Sequence, residues 1–178
     1  MASINDLKSL VNAKKGFARP NRYRVFLPTI KGLSPAEANL LCKTVELPTR
    51  QILTSERQFG MTLEKVPYGH AVIDINMTFL LLNDYSTRNY FEAWQNLAIN
   101  QETLEAGYIN EYAKDVIIEQ LDNNDSMVYS VVLNRAFPTT IGSIQLGNDV
   151  EGIVTELSVQ LSYTNWKSFR RDVNAGSS

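Results

Sequence analysis

The chain has 178 residues, 44% hydrophobic and 20% charged, a length and balance that fit one globular domain with a buried core and exclude a disordered chain. Cys42 is the one cysteine and His70 the one histidine, so an intramolecular disulfide, a cysteine-built zinc site and a multi-histidine metal site are excluded. The formal net charge of -2 conceals an asymmetry: residues 1–32 carry +6, residues 165–178 carry +2, and the stretch between them carries -10. Basic ends on an acidic body read either as solvated tails, which charge alone favours, or as head-to-tail self-association in which the ends of one subunit meet the body of the next. No apolar run approaches the roughly 20 residues of a membrane helix. The first residues, with Lys8, Lys14 and Lys15, lack a signal-peptide apolar segment. The expectation is a reducing, aqueous compartment.

Residues 1–16 have Ile4, Leu7, Leu10 and Val11 at helical spacing and Gly16 as a stop, predicting a short amphipathic arm too short to stand alone. Arg19-Pro20-Asn21 breaks the chain before a strand at Tyr23–Leu27, ended by Pro28. Ser34 and Pro35 resemble an N-cap and first helical position, with too little sequence before Leu41 to define a helix. Leu40–Leu47 reads as a strand closed by Pro48. Residues 49–69 alternate in polarity, with turns at Phe59-Gly60 and at Val66–Gly69, and fit an extended hairpin or arm; a mobile surface loop is the plain alternative. Ala71–Leu82 reads as one long strand, with Ile73, Ile75, Met77, Phe79 and Leu81 on one face. Leu80 and Leu82 bring apolar residues to its other face, so its end should be covered on both sides. A helix follows over Thr87–Ile99, where Tyr90, Phe91, Trp94, Leu97 and Ala98 form an aromatic stripe for packing on the sheet.

Asp115–Leu121 and Met127–Asn134 are predicted to pair as a hairpin across the Asp122–Asp125 turn, and Arg135–Gly147 to connect onward. The closing segment alternates longest, with Ile153, Thr155, Leu157, Val159, Leu161 and Tyr163 on one side and Val154, Glu156, Ser158, Gln160, Ser162 and Thr164 on the other. It predicts a strand of twelve residues that needs partners on both edges. Residues 167–178 read as a flexible tail.

Little points to catalysis. His70 lacks a partner for acid–base or nucleophilic work, Cys42 reads as a small buried hydrophobe, and the nine glycines form no Walker loop or dinucleotide fingerprint. Asp122 with Asp125, or Glu151 with Glu156, could be drawn as acid–base or calcium pairs, but turn chemistry and a wet strand face account for them. Phe17 and Tyr23 among the N-terminal basic residues are a weak nucleic-acid signal that the acidic body opposes.

Several phrases in order carry a resemblance. They are Phe17-Ala18-Arg19-Pro20-Asn21, Cys42-Lys43 with Leu47-Pro48, Pro67 with Gly69, Asn83-Asp84, Phe91 with Trp94-Gln95 and Glu111-Tyr112. Pro138-Thr139, Ile141-Gly142, Gln145-Leu146, and Leu161, Tyr163 and Trp166 complete the series. From about Phe17 to Trp166 the chain resembles the tail tube proteins of contractile-tailed, T4-type bacteriophages. That resemblance implies a mainly β fold (α+β), a single β-sandwich or half-barrel domain with one flanking helix. Six subunits would form a ring whose inner sheets make one closed barrel, and rings would stack into a hollow tube. It also implies no enzyme activity and no cofactor. The implied partners are copies of itself, a sheath protein, a tape-measure protein in the lumen, and baseplate and tail-terminator proteins, with DNA passing unbound. The place would be the virion tail, assembled in the host cytoplasm.

On this resemblance Asp74, Asn76, Thr78, Glu156, Ser158, Gln160 and Ser162 are lumen-facing, a solvated outer surface being the alternative. Arg50, Arg57, Phe59, Glu64 and Lys65, in residues 49–69, would join rings together with the N-terminal segment, and Tyr90, Phe91, Trp94 and Leu97 pack the helix. A baseplate-proximal tube initiator and the tube of a related contractile injection system share this pattern. A monomeric small-ligand-binding β-barrel is the reading from another class.

Overall fold

A computed structural model describes residues 3–14, 16–147 and 152–170. In chain order its elements are α1 (Ile4–Ala13), β1 (Tyr23–Phe26), α2 (Ala36–Leu41), β2 (Cys42–Val45), β3 (Thr49–Phe59), β4 (Thr62–Ile73), β5 (Ile75–Leu80), α3 (Ser86–Ala98), α4 (Ile109–Tyr112), β6 (Lys114–Leu121), β7 (Met127–Ile141), β8 (Glu156–Ser162) and β9 (Asn165–Arg170). Among the described residues seven strands form one antiparallel sheet in the order β1-β6-β7-β8-β5-β2, with β9 paired to β7 beside β8, and β3 and β4 pair only with each other.

β7 organises the sheet. Its first half pairs with β6 on one side and β9 on the other; its second half pairs with β8. The change of partner occurs at a bulge, where Arg135 takes a left-handed φ of 55° and the β6 register slips between Lys114 and Val116. A bulge adds twist and bends a strand, so the two halves of the sheet face each other across a common core. From one half come Val116, Ile118, Val131 and Leu133, and from the other Ile75, Met77, Phe79, Leu157, Val159 and Leu161. The sheet's end strands β1 and β2 approach one another, and the Tyr23 hydroxyl donates to the carbonyls of Cys42 (3.0 Å) and Lys43 (2.5 Å). The result is the half-barrel expected from the resemblance.

α3 closes the core. Tyr90, Phe91 and Trp94 are buried, with Phe91 4.9 Å from Phe79 of β5 and stacked at 6.4 Å on Trp94. The Trp94 indole N–H donates to the Tyr112 carbonyl (2.7 Å) and the Tyr90 hydroxyl to the Pro28 carbonyl (2.5 Å), so the polar ends of both rings are satisfied as burial requires. Leu97 packs half-buried at the end of the stripe. The helix starts one residue earlier than expected, after Tyr85 in the left-handed region, with Asp84 accepting from the Ser86 amide.

Several boundaries differ from the sequence reading. β8 begins at Glu156, so the strand has seven residues rather than twelve, and Ile153 and Val154 are exposed ahead of it. It does have partners on both edges, β7 and β5. The segment read as one strand at Ala71–Leu82 is broken at Asp74: β4 belongs to the hairpin and β5 to the sheet. Ile73, placed in the core by periodicity, is 51% exposed, and Leu82 is exposed as well.

Val66–Gly69 is not a turn. It lies inside β4, where the register slips between Leu53 and Thr54 and leaves Tyr68 unpaired. Proline fits such a bulge because it cannot serve a regular ladder. Residues 36–41 form the short helix α2, taking Leu40 and Leu41 out of the expected strand. Lys167–Arg170 are not tail but part of β9, while the expected tail beyond Arg170 lies outside the described residues. So does Glu151.

Candidate assembly surfaces

The outer face of β2-β5-β8 is polar because the strands alternate and their other face is the core. Asn76 stands opposite Gln160, Thr78 opposite Ser158, and Thr44 of β2 opposite Thr78. Six of the seven residues expected on a lumen face therefore share one surface: Asn76, Thr78, Glu156, Ser158, Gln160 and Ser162. Asp74 does not join their ladder; it sits in the gap between β4 and β5. Its carboxylate and burial both raise the Tyr163 hydroxyl above the usual tyrosine range, burial being the larger effect.

Charges on this face are partnered. Lys43 pairs with Glu156, and Glu46 Oε2 accepts from both the backbone N–H (3.0 Å) and the side-chain amide (3.3 Å) of Asn76. Lys43, Thr44, Glu46 and Thr140 belong to the surface although the sequence reading passed over them. The Thr44-Val45-Glu46 alternation carries a signal for two of them, while Lys43 joins the face through the register shift between Cys42 and Thr44. Leu80, half-buried opposite Glu156, is an apolar interruption.

The hairpin β3–β4 is the second surface. Arg57 lies opposite Glu64 and Glu56 opposite Lys65, one pair on each side of the ribbon. Phe59 is exposed at its tip with Met61 and Leu63, and Met61 has 104% relative exposure. Of the residues expected to join rings, Arg57, Glu64 and Phe59 share one side and Lys65 takes the other. Arg50 is at the base, engaged within the chain: its guanidinium donates to Asn165 Oδ1 (3.0 Å) and to the Trp166 carbonyl (3.3 Å), and lies 4.9 Å above the Trp166 ring. Two-stranded ribbons are marginal in water by themselves, so this one presents two unpaired edges in search of support.

The seam between β1 and β2 is the third surface. A cleft along it is lined by Arg22, Lys43, Val45, Leu47, Ile118 and Glu119. Tyr23 spans it, its hydroxyl raised above the ordinary range by burial and then by Cys42. Burial pushes the Cys42 thiol up to about 12, the opposite of what a nucleophilic thiolate requires. His70 is exposed on the hairpin opposite Ile52. Among the described residues no group of three or more His, Cys, Asp or Glu could hold a metal, and no helix is long and apolar enough to cross a membrane.

Comparison with known proteins agrees with this architecture. The chain is 25% identical to the tail tube protein of Serratia phage KSP90 over 168 residues, covering 92% of this chain and 95% of that protein. It is also 25% identical to the tail tube protein gp19 of Enterobacteria phage T4 over 164 residues, covering 85% and 91%. In fold it is similar to a chain of the sheath–tube complex of an extracellular contractile injection system, PVC, in its extended state. There the TM-score is 0.65 at 15% identity, covering 96% of this chain and 100% of the other. The family model described as "Phage tail tube protein" matches residues 18–168. These residues include the hairpin, the packed helix and the sheet as far as Ser168 of β9, and the chain belongs to the phage tail tube protein family.

Proposed function

We infer that the chain is the repeating structural subunit of a contractile phage tail tube, in which six copies form a ring and rings stack into a hollow conduit for DNA. One observation carries this reading: among the described residues the strands at the ends of the seven-stranded sheet do not pair with each other, and the hairpin pairs with nothing but itself. Open edges invite pairing with other chains, and joining sheets across subunits into a closed barrel removes them. The β2-β5-β8 face supplies a suitable wall. Asn76, Thr78, Ser158, Gln160 and Ser162 are neutral, and Lys43 is neutralised by Glu156. A polyanion finds no row of free cations there to bind it. The hairpin, with Arg57, Phe59, Glu64 and Lys65, reaches the neighbouring ring.

In this role a sheath surrounds the tube, a tape-measure protein fills the lumen before DNA, and baseplate and terminator proteins meet its two ends. Assembly takes place in the host cytoplasm and the product is a virion component without enzymatic activity. Proteins of the anti-feeding prophage cap and baseplate share the fold at TM-scores of 0.64 and 0.62, so fold alone does not separate a tube subunit from an end protein. The relatives from phages KSP90 and T4, both tail tube proteins, favour the repeating subunit. A small-ligand-binding barrel is disfavoured because Phe79, Phe91, Trp94, Met77 and Leu157 fill the interior.

Negative-stain electron microscopy of the purified protein tests the reading. Six-fold rings or tubes with a central channel are expected as concentration rises. Small single particles at every salt and protein concentration would refute it.

A further inference from the structure

Among the exposed apolar features of the described residues beyond the sheet, hairpin and seam, two lie at opposite ends of the β6–β7 ladder. The first is α1. A reciprocal capping box of Ser3 and Asp6 starts it, with the Ser3 amide 2.9 Å from Asp6 Oδ2; Gly16, at φ 105°, ends it by donating to the Val11 carbonyl (2.9 Å). None of its residues is buried: Ile4, Leu7 and Leu10 are 68%, 52% and 57% exposed. Helical geometry puts Lys8 on one border of this stripe and Asp6, engaged in the capping box, on the other, with Asn5, Ser9 and Asn12 on the opposite side; Lys14, the C-cap, follows the stripe at the end of the helix. The helix emerges beside the β6–β7 turn, where Gly16 adjoins Asn123 and Arg22 pairs with Asp125 at 2.6 Å.

The second is the loop from Ile99 to Ile109, at the ladder's other end. Gln95 holds it near Thr139 of β7 (3.1 Å), and Lys114 and Arg135 hold it from behind through Asn110. It is tightly made. The Asn100 carbonyl accepts from the Leu104 amide (2.8 Å), its side chain accepts from the Glu102 amide (2.9 Å), and the Gly107 amide donates to the Ala98 carbonyl (2.9 Å). A Cβ at Gly107 would lie 2.0 Å from the Leu97 carbonyl oxygen. Leu104 is left-handed at φ 57°, an unfavourable setting for a non-glycine residue, and is 78% exposed between Glu102 and Glu105; Tyr108 is 80% exposed. Such a knob is held in place rather than left over from disorder.

An apolar stripe with Lys8 on one border and Lys14 at its end, its one acid Asp6 held by the Ser3 amide, complements an apolar knob set between two glutamates. Their positions at opposite poles make the contact heterologous, the kind that propagates. We propose that α1 of one copy docks on the Ile99–Ile109 loop of the next copy along the tube. The Ile4, Leu7 and Leu10 stripe covers Leu104 and Tyr108, while Lys8 and Lys14 face Glu102 and Glu105. The contact rests on the tube reading and specifies one of its axial joints.

Disulfide cross-linking in a Cys42→Ser background tests it, with Leu7→Cys and Leu104→Cys in the same chain. Assembled protein should give a ladder of covalent oligomers on oxidation, well above that of a control pair, Leu7→Cys with Leu40→Cys. Charge exchange is the second arm. Lys8→Glu with Lys14→Glu should abolish stacked tubes, and adding Glu102→Lys with Glu105→Lys should restore them. Tubes that give no ladder above the control, a cross-link confined to the monomer band, or a four-substitution variant no better than the two-substitution one overturns the contact while leaving the tube reading intact. Wild-type protein that never assembles overturns both.

Discussion

Replacing Trp94 with Phe keeps an aromatic ring in the stripe of α3 but removes the indole N–H that donates to the Tyr112 carbonyl at 2.7 Å. Leaving that acceptor unpaired costs about 1–3 kcal/mol. The two ring carbons lost from a fully buried site cost about 0.8 kcal/mol each, before any term for the cavity. The sum, about 3–5 kcal/mol, is a large part of the ~5–15 kcal/mol that holds a domain together. For a domain of this size each kcal/mol moves Tm by about 2–4 °C, giving an expected fall of roughly 6–20 °C. Circular-dichroism melting should be followed at a concentration where the wild type is unassembled, because association adds to apparent stability. Leu97→Ala, at the half-buried end of the same stripe, is the comparison and should cost less. A Trp94→Phe Tm within a degree of wild type, or a fall smaller than that of Leu97→Ala, would refute the view that this ring and its hydrogen bond pin α3 to the sheet.

Alkaline pH should weaken the fold. Burial raises Cys42 from 9.0 to about 12 and Tyr90 in the same direction, so the unfolded chain loses these protons first; the stability they contribute is whole below about pH 9 and declines as pH rises towards 12. The urea midpoint should therefore fall between about pH 8 and pH 10.5, and Cys42→Ser should reduce the fall; a flat profile contradicts the burial. The native thiol should also react with Ellman's reagent much more slowly than the urea-unfolded chain at the same pH. Arg50→Ala removes two hydrogen bonds and the ring contact that tie the hairpin base to β9. Since the site is exposed, global stability should change by about 1 kcal/mol or less, while amide exchange in β3 and β4 accelerates; unchanged exchange would show that the hairpin does not depend on this tie. Gly107→Ala should shift the Ile99–Ile109 loop and lower stability by about 1–3 kcal/mol, because the new methyl meets backbone and not a movable side chain. A Tm equal to wild type counts against that crowding.

Period-two patterning located the core faces well. Leu157, Val159, Leu161 and Tyr163 are all buried as expected, as are Ile75, Met77 and Phe79. It failed where a strand changes partners. Ile73 keeps the alternation of its neighbours, yet belongs to a ribbon that has left the sheet; its carbonyl accepts the Tyr163 hydroxyl at 2.7 Å while its side chain faces solvent. Arg135–Ile141 reads as a connection because Pro138 breaks strand propensity, but a bulge accommodates it beside Leu161. β9 has only Trp166 and Phe169 as apolar residues among charges, and is a strand because β7 offers it an edge, not because its own residues demand it. Of the assembly surfaces, the polar sheet face and the hairpin were visible as alternation. The knob at Leu104 was not, because it depends on a backbone conformation that local composition does not announce.

The position of β7 also bears on when a subunit becomes usable. Its partners β8 and β9 follow it in the chain, so a nascent chain interrupted before Glu156 leaves the flank of β7 that they cover bare. Such fragments expose a strand edge that the completed sheet covers and are candidates for clearance by chaperones and proteases. The sheet is thus finished only once synthesis has passed β9, and the edge that β7 leaves open is covered no earlier.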